Sequence, residues 1–197
     1  GNETTVNDDG ASQSTVSVNQ DAGFSIVSWT GDGTATTVGH GLTSAPEFMI
    51  LKNREITSPW AVYHTSLADD QYLRLNENAA AYTASSRFNS TDPTATVFST
   101  GNDSSVAENG DGLIAYCWHS VEGYSKFGKY TGNGNADGPF IYTGFRPAML
   151  IIKNISVAEN WQIWDSKRMP NNGTGTRLMP DMTNGESTNS TWAVVDF

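Results

Sequence analysis

Apolar residues along this chain come in short runs broken by stretches of Gly, Asn, Ser and Thr, a pattern that predicts many short strands joined by tight turns. Gly23-Phe24-Ser25-Ile26-Val27-Ser28-Trp29 leads as a strand into a glycine-flanked turn. Phe48-Met49-Ile50-Leu51 is a continuous apolar run entered through Pro46 and closed by Lys52-Asn53, which predicts a core strand buried on both faces. Trp60-Ala61-Val62-Tyr63-His64 follows, with Trp60 and the aliphatic Val62 on one face and Tyr63 on the other. Further strands are predicted at Tyr72-Leu73-Arg74-Leu75, Thr96-Val97-Phe98 and Leu113 to His119. Residues 67–73 are the one short helix candidate, and their end, with Tyr72-Leu73-Arg74-Leu75, reads equally well as a strand. The polar residues 1–22, with weak alternation at Thr15-Val16-Ser17-Val18, read as an N-terminal linker or arm.

The pattern then repeats. Thr30-Gly31-Asp32-Gly33 returns as Thr131-Gly132-Asn133-Gly134, and Pro46 to Asn53 returns as Pro147 to Asn154. Trp60 and Trp161 keep the same spacing of 101 positions. A unit of this length suits an all-β sandwich, so the expected architecture is two tandem antiparallel β-sandwich-like, jelly-roll-like domains over 23–122 and 123–197. In the second copy, Arg177-Leu178 answers Arg74-Leu75, and Trp192 to Phe197 answers the Val97-Phe98 strand. Nothing answers residues 113–119, so the second copy is expected to lack its closing strand. Such a gap leaves an unpaired edge, expected to be filled by continuation of the polypeptide, by another chain or by the N-terminal arm.

Charge narrows the partners. The 197 residues carry a formal charge of −10 with only 11 Lys and Arg, which argues against phosphate-backbone binding. No apolar stretch approaches the length of a membrane span, and insertion into a membrane is not expected. The single cysteine, Cys117, excludes an intrachain disulfide and falls in a strand-like run, where a buried thiol is the default.

Candidate chemistry is sparse. His40, His64 and His119 have no counterparts in the second copy, and no triad order, HExxH pattern or phosphate loop appears, so no enzyme, catalytic residue or cofactor is predicted. Asn133, Asn135 and Asp137, followed by Gly138, imitate the first half of a calcium loop, but Gly144 stands where the bidentate Glu belongs. An Asn/Gly hairpin turn explains the same residues. Trp60 and Trp161 recur in both copies as core keystones would, whereas Trp29, Trp164 and Trp192 are less constrained and are the candidates for stacking a glycan ring. Six Asn-x-Ser/Thr sequons follow from a composition rich in all three residues.

The blocks Gly123-Tyr124-Ser125-Lys126-Phe127-Gly128-Lys129-Tyr130-Thr131-Gly132-Asn133-Gly134, Gly138-Pro139-Phe140 and Thr143-Gly144-Phe145-Arg146-Pro147 to Lys153 resemble a tandem domain of virion proteins in marine tailed phages. Gly39-His40-Gly41-Leu42 with Ala45-Pro46, and Ala115-Tyr116-Cys117-Trp118, fit the same pattern, so the resemblance spans residues 23–197. It implies a structural or tail-fibre-like virion component that contacts copies of itself and other virion proteins and contributes to host attachment, and it implies no catalytic residues. A carbohydrate-binding module of a secreted or surface protein, taking a host glycan, is the alternative.

Overall fold

The computed structural model describes residues 3–135, 137–168 and 176–188. The fold is all-β and antiparallel, and the chain divides into two compact units, residues 1–75 with 81–127 and residues 76–80 with 128–197.

Unit 1 is built on an eight-stranded sheet. Its strands are β1 (Thr5–Asn7), β2 (Ser14–Asn19), β3 (Phe24–Thr30), β5 (Phe48–Asn53), β6 (Ala61–His64), β7 (Gln71–Arg74), β8 (Tyr82–Thr83) and β10 (Gly112–Trp118), in the order β1-β2-β3-β10-β5-β6-β7-β8. A ribbon of β4 (Thr36–Gly39) and β9 (Val97–Thr100) makes the second layer, flanked by two single-turn helices, α1 (Ser85–Phe88) and α2 (Ser104–Ala107). Strict alternation sets the layers apart. Along β3 and β10 every second residue, Ser25, Val27 and Trp29 or Leu113, Ala115 and Cys117, is buried, while their neighbours are half-buried. These inward residues meet Val38, Phe98, Phe88 and Val106 from the ribbon and helices in one core.

The helices are pinned by charge as well as by apolar contact. Arg87, buried on α1, pairs with Asp103 and hydrogen-bonds Ser105 at the start of α2, and its guanidinium lies 5.2 Å from the Tyr72 ring centroid. Asp103 also caps α2, accepting from the Ser105 N–H at 2.9 Å. Gly101 is required where β9 passes α1, because a Cβ there would lie 2.2 Å from the Ser86 carbonyl oxygen.

Three expectations are corrected. Ser14–Asn19 is not a linker: it pairs with β3 along its whole length, with Val16 in the core. Its polar composition hid this, because Ser14 is also buried and satisfied by donating to the Gly39 carbonyl at 2.8 Å. β5 is not buried evenly on both faces, since Met49 and Leu51 are enclosed while Ile50 is only half-buried. An unbroken apolar run here reflects a sheet whose outer face is itself apolar, not a strand sealed on both sides.

Unit 2 contains β11 (Met149–Ile152), β12 (Gln162–Asp165), β13 (Thr176–Arg177) and β14 (Ser187–Thr188). The pairs Met149↔Asp165, Leu150↔Trp164, Ile151↔Ile163 and Ile152↔Gln162 are Phe48↔His64, Met49↔Tyr63, Ile50↔Val62 and Leu51↔Ala61 displaced by 101 positions. Hydrogen bonds repeat at the same spacing. Thr65 N–H donates to Glu47 O as Ser166 N–H donates to Ala148 O, and Asn53 Oδ1 caps the Glu55 and Ile56 N–H groups as Asn154 Oδ1 caps Ser156 and Val157. The third correction lies further on. Leu178 pairs with Ile163 as Leu73 pairs with Val62, so Arg177-Leu178 takes the place of Tyr72-Leu73 rather than Arg74-Leu75. A longer connection between β12 and β13 shifts the correspondence there, which a fixed spacing misses.

The unequal enclosure of matched residues gives a stability prediction. Leu51→Ala, in the closed core, should cost about 2–5 kcal/mol, whereas Ile152→Ala, half-buried beside Trp164, should cost roughly 1–2 kcal/mol; the urea midpoint of the transition that each perturbs measures the difference.

Candidate functional site

None of the three tryptophans singled out for glycan stacking offers a described, open ring face. Trp29 is 5% exposed, with its ring edge-on to Phe98 at 5.6 Å between centroids in the unit 1 core. Trp164 is 7% exposed and packs on Leu150 and Ile152, occupying in unit 2 the place that buried Tyr63 holds in unit 1. Both are corrected to core residues, because a sugar must reach the ring face and these faces are covered by side chains. Trp192 lies outside the described residues, as does the strand expected at Trp192 to Phe197. Trp161 is buried, as a keystone should be, while Trp60 is half-buried.

The calcium-like loop spends its oxygens on the backbone. Asn133 Oδ1 accepts from the Asn135 N–H at 3.0 Å, Asn135 Oδ1 accepts from the Asp137 N–H at 3.2 Å, and Asn133 Nδ2 donates to the Asp137 carbonyl at 2.9 Å. In unit 1, Asp32 Oδ1 makes the matching bond to the Thr34 N–H at 2.9 Å, and that bond with the Thr34 hydroxyl holds its carboxyl below the usual range. These are turn-forming side chains.

The histidines are turn and core residues too. His64 Nδ1 accepts from the Ser66 N–H at 3.0 Å, and Asp165, its counterpart, accepts from the Lys167 N–H at 3.0 Å. His and Asp can serve at these two matched positions because each supplies the acceptor that the turn needs. His40 is fully buried, with Nδ1 accepting from the Leu42 N–H at 3.1 Å and Nε2 donating to the Thr94 carbonyl at 3.2 Å. Both bonds are made only by the neutral ring. Burial lowers its pKa, helped by His119, against the opposing pull of Thr94 O and Asp9. Cys117 is sealed in the core, which pushes its thiol up to about 12. Among the described residues no three His, Cys, Asp or Glu side chains are placed to hold a metal. A depression of about 390 Å³ in unit 1 is lined by Gly33, Thr34, Ser85, Ser86, Asn89 and Asn102 among others, with no carboxylate, imidazole or ring.

What the structure does expose is apolar surface. On the outer face of the unit 1 sheet, Phe24, Trp118 and Phe48 form a row across β3, β10 and β5, with centroids 5.0 and 5.5 Å apart, and Phe127 stacks on Phe48 at 5.7 Å. Unit 2 goes further: Phe140 is 89% exposed, Tyr142 79% and Met149 59%, with Ile141 and Ile151 also open. Sequence reasoning placed Met149 to Ile152 in a core and missed this exposure. In unit 1 the matching residues lie beside β10, whereas no described residue pairs with the corresponding edge of Met149–Ile152.

The chain belongs to the family described as Domain of unknown function (DUF7483), which it matches over residues 1–197. No curated protein sequence and no solved structure matches it.

Two measurements follow from the buried polar groups. The unfolded chain protonates His40 near pH 6.5, while the folded chain resists, so stability is complete above about pH 6.5 and is lost as pH falls below it. The melting temperature of the wild type should therefore drop more between pH 7 and 5 than that of His40→Gln, which does not titrate. Iodoacetamide at pH 8 should leave Cys117 unmodified in the folded chain and alkylate it only in denaturant, as mass spectrometry would read.

Proposed function

We propose that this chain is a non-enzymatic structural module of an extracellular particle, a tail-fibre-like or surface-appendage component of a virion, that works by assembling with copies of itself and with other particle proteins. The observation that carries this reading is the open apolar surface of unit 2, where Phe140, Ile141, Tyr142, Met149 and Ile151 stand in solvent. Exposed apolar residues concentrated in one unit mark a surface made to be covered. The described polar groups point the same way. Histidines, carboxylates and amides are committed to capping turns and closing the core, and they form no cluster at which chemistry could occur. The resemblance to phage virion domains supplies the setting, and a net charge of −10 suits a particle surface that must stay soluble while displaying apolar contacts.

A carbohydrate-binding role is the weaker reading. Its ring candidates in the described part of the chain, Trp29 and Trp164, are buried. The half-buried row on the outer face of unit 1 is stacked on itself, which occupies much of the ring area a sugar would need.

Sedimentation velocity over a concentration series tests the proposal. The wild type should associate as concentration rises, and the double substitution Phe140→Ser, Tyr142→Ser should move it towards monomer. A chain that stays monomeric throughout and binds specifically on a glycan array would overturn the assembly reading in favour of the lectin one.

A further inference from the structure

The two units share a meander and differ in what lies beside it. In unit 1, β5 has β6 on one side and β10 on the other, with Leu113↔Asn53, Ala115↔Leu51, Tyr116↔Ile50, Cys117↔Met49 and Trp118↔Phe48 in register. In unit 2, β11 has β12 on one side, in the same register as β5 with β6, and no partner among the described residues on the other.

The vacancy shows in each residue that β10 would cover. Met49 and Leu51 are 1% exposed, whereas their counterparts Leu150 and Ile152 are half-buried; Phe48 is 9% exposed, whereas Met149 is 59%. Polar groups agree. Glu47 N–H donates to the Trp118 carbonyl at 2.7 Å and Arg54 N–H to the Gly112 carbonyl at 3.0 Å, while the N–H groups of Ala148 and Ile155 have no acceptor among the described residues. Asn53 Nδ2 donates to Asp111 Oδ2 at 2.8 Å, just before β10 begins. Asn154 keeps both turn-capping bonds of Asn53, yet its Nδ2 has no partner among the described residues. An apolar strip, two backbone N–H groups and a side-chain amide thus lack partners among the described residues, where β10 and the adjoining Asp111 supply them in unit 1.

We propose that the edge of β11 that no described residue pairs is a strand-acceptor site, filled by an antiparallel extended segment with the alternation of β10. Such a segment has small residues facing Leu150 and Ile152, where Cys117 and Ala115 sit in unit 1, and aromatic residues over Met149 and Ile151, where Trp118 and Tyr116 sit. An acidic residue at its start meets Asn154. Main-chain bonds supply affinity and the alternation supplies register, as in other cases of strand addition to a sheet edge. This deepens the assembly reading of unit 2, on which it rests, by naming the chemistry of one contact.

The probe is a fluorescein-labelled peptide of residues 111–119 carrying Cys117→Ser. Added to the full chain, it should give saturable anisotropy. Register is read with Ile151→Cys in the chain, its fold checked by circular dichroism. A peptide that also carries Tyr116→Cys should form a disulfide with it several times faster than one carrying Ile114→Cys, which lies opposite Lys153. Flat anisotropy or equal disulfide rates overturn the proposal. So does a β11-to-β11 disulfide between two chains that the peptide fails to suppress, which would make a second copy the occupant. Self-association in sedimentation without peptide capture would sink the acceptor site and leave the assembly reading standing.

Discussion

The double pairing of β10 holds unit 1 together as one sheet. On one side it binds β3 along seven residue pairs, and on the other it binds β5 along six, so it joins the N-terminal strands β1, β2 and β3 to the meander β5 to β8. Its inward side chains, Leu113, Ala115 and Cys117, are small enough to let the ribbon and short helices sit close above, and its outward Tyr116 and Trp118 carry the aromatic row. Remove that strand and two sheets remain, each with an open edge and each with half its core uncovered. In unit 2 the β11 and β12 pair keeps the register of β5 with β6, and among the described residues no strand lies beside β11 where β10 lies beside β5.

The polar groups answer to the same constraint. A buried sheet of this kind leaves many loop N–H groups near apolar walls, and each needs an acceptor. Asn53, His64, His40 and Asp103 supply them in unit 1, and Asn154 and Asp165 do so in unit 2. Residue types that suggest catalysis or metal binding are here part of the turn chemistry. The matched positions share acceptor capacity rather than charge or ring type: Asp165 and His64 each accept from the N–H two residues on, and so do Asn133 and Asp32.

Much of the fold was legible in the sequence because its signals are local. Short apolar runs gave the strands of the meander, Pro46 and Pro147 marked their entrances, and the spacing of 101 positions carried over to the cross-strand pairs. What was not legible depends on burial, which spacing alone does not decide. Trp164 looked less constrained because, unlike Trp60 and Trp161, it has no tryptophan at the matching position, yet its match with Tyr63 puts it inside. Ser14 to Asn19 looked like a linker because a buried serine with a backbone acceptor carries no apolar mark. The single-turn helices escaped because four residues give no periodicity. The openness of Met149 and Ile151 was hidden for the opposite reason, since an apolar run reads as core whether or not anything covers it.

The place of β10 in the order of the chain has a consequence in time. Phe24 pairs with Trp118, so the N-terminal strands cannot join the meander until the ribosome has released nearly all of unit 1. Contacts this distant along the chain close slowly and late. Until then the edge of β5 that β10 will pair lies bare, and nascent chains in that state are prone to pair with one another. A protein made this way has to keep its own copies apart for as long as synthesis lasts, and the acidic, lysine-poor coat that it carries provides the repulsion to do so.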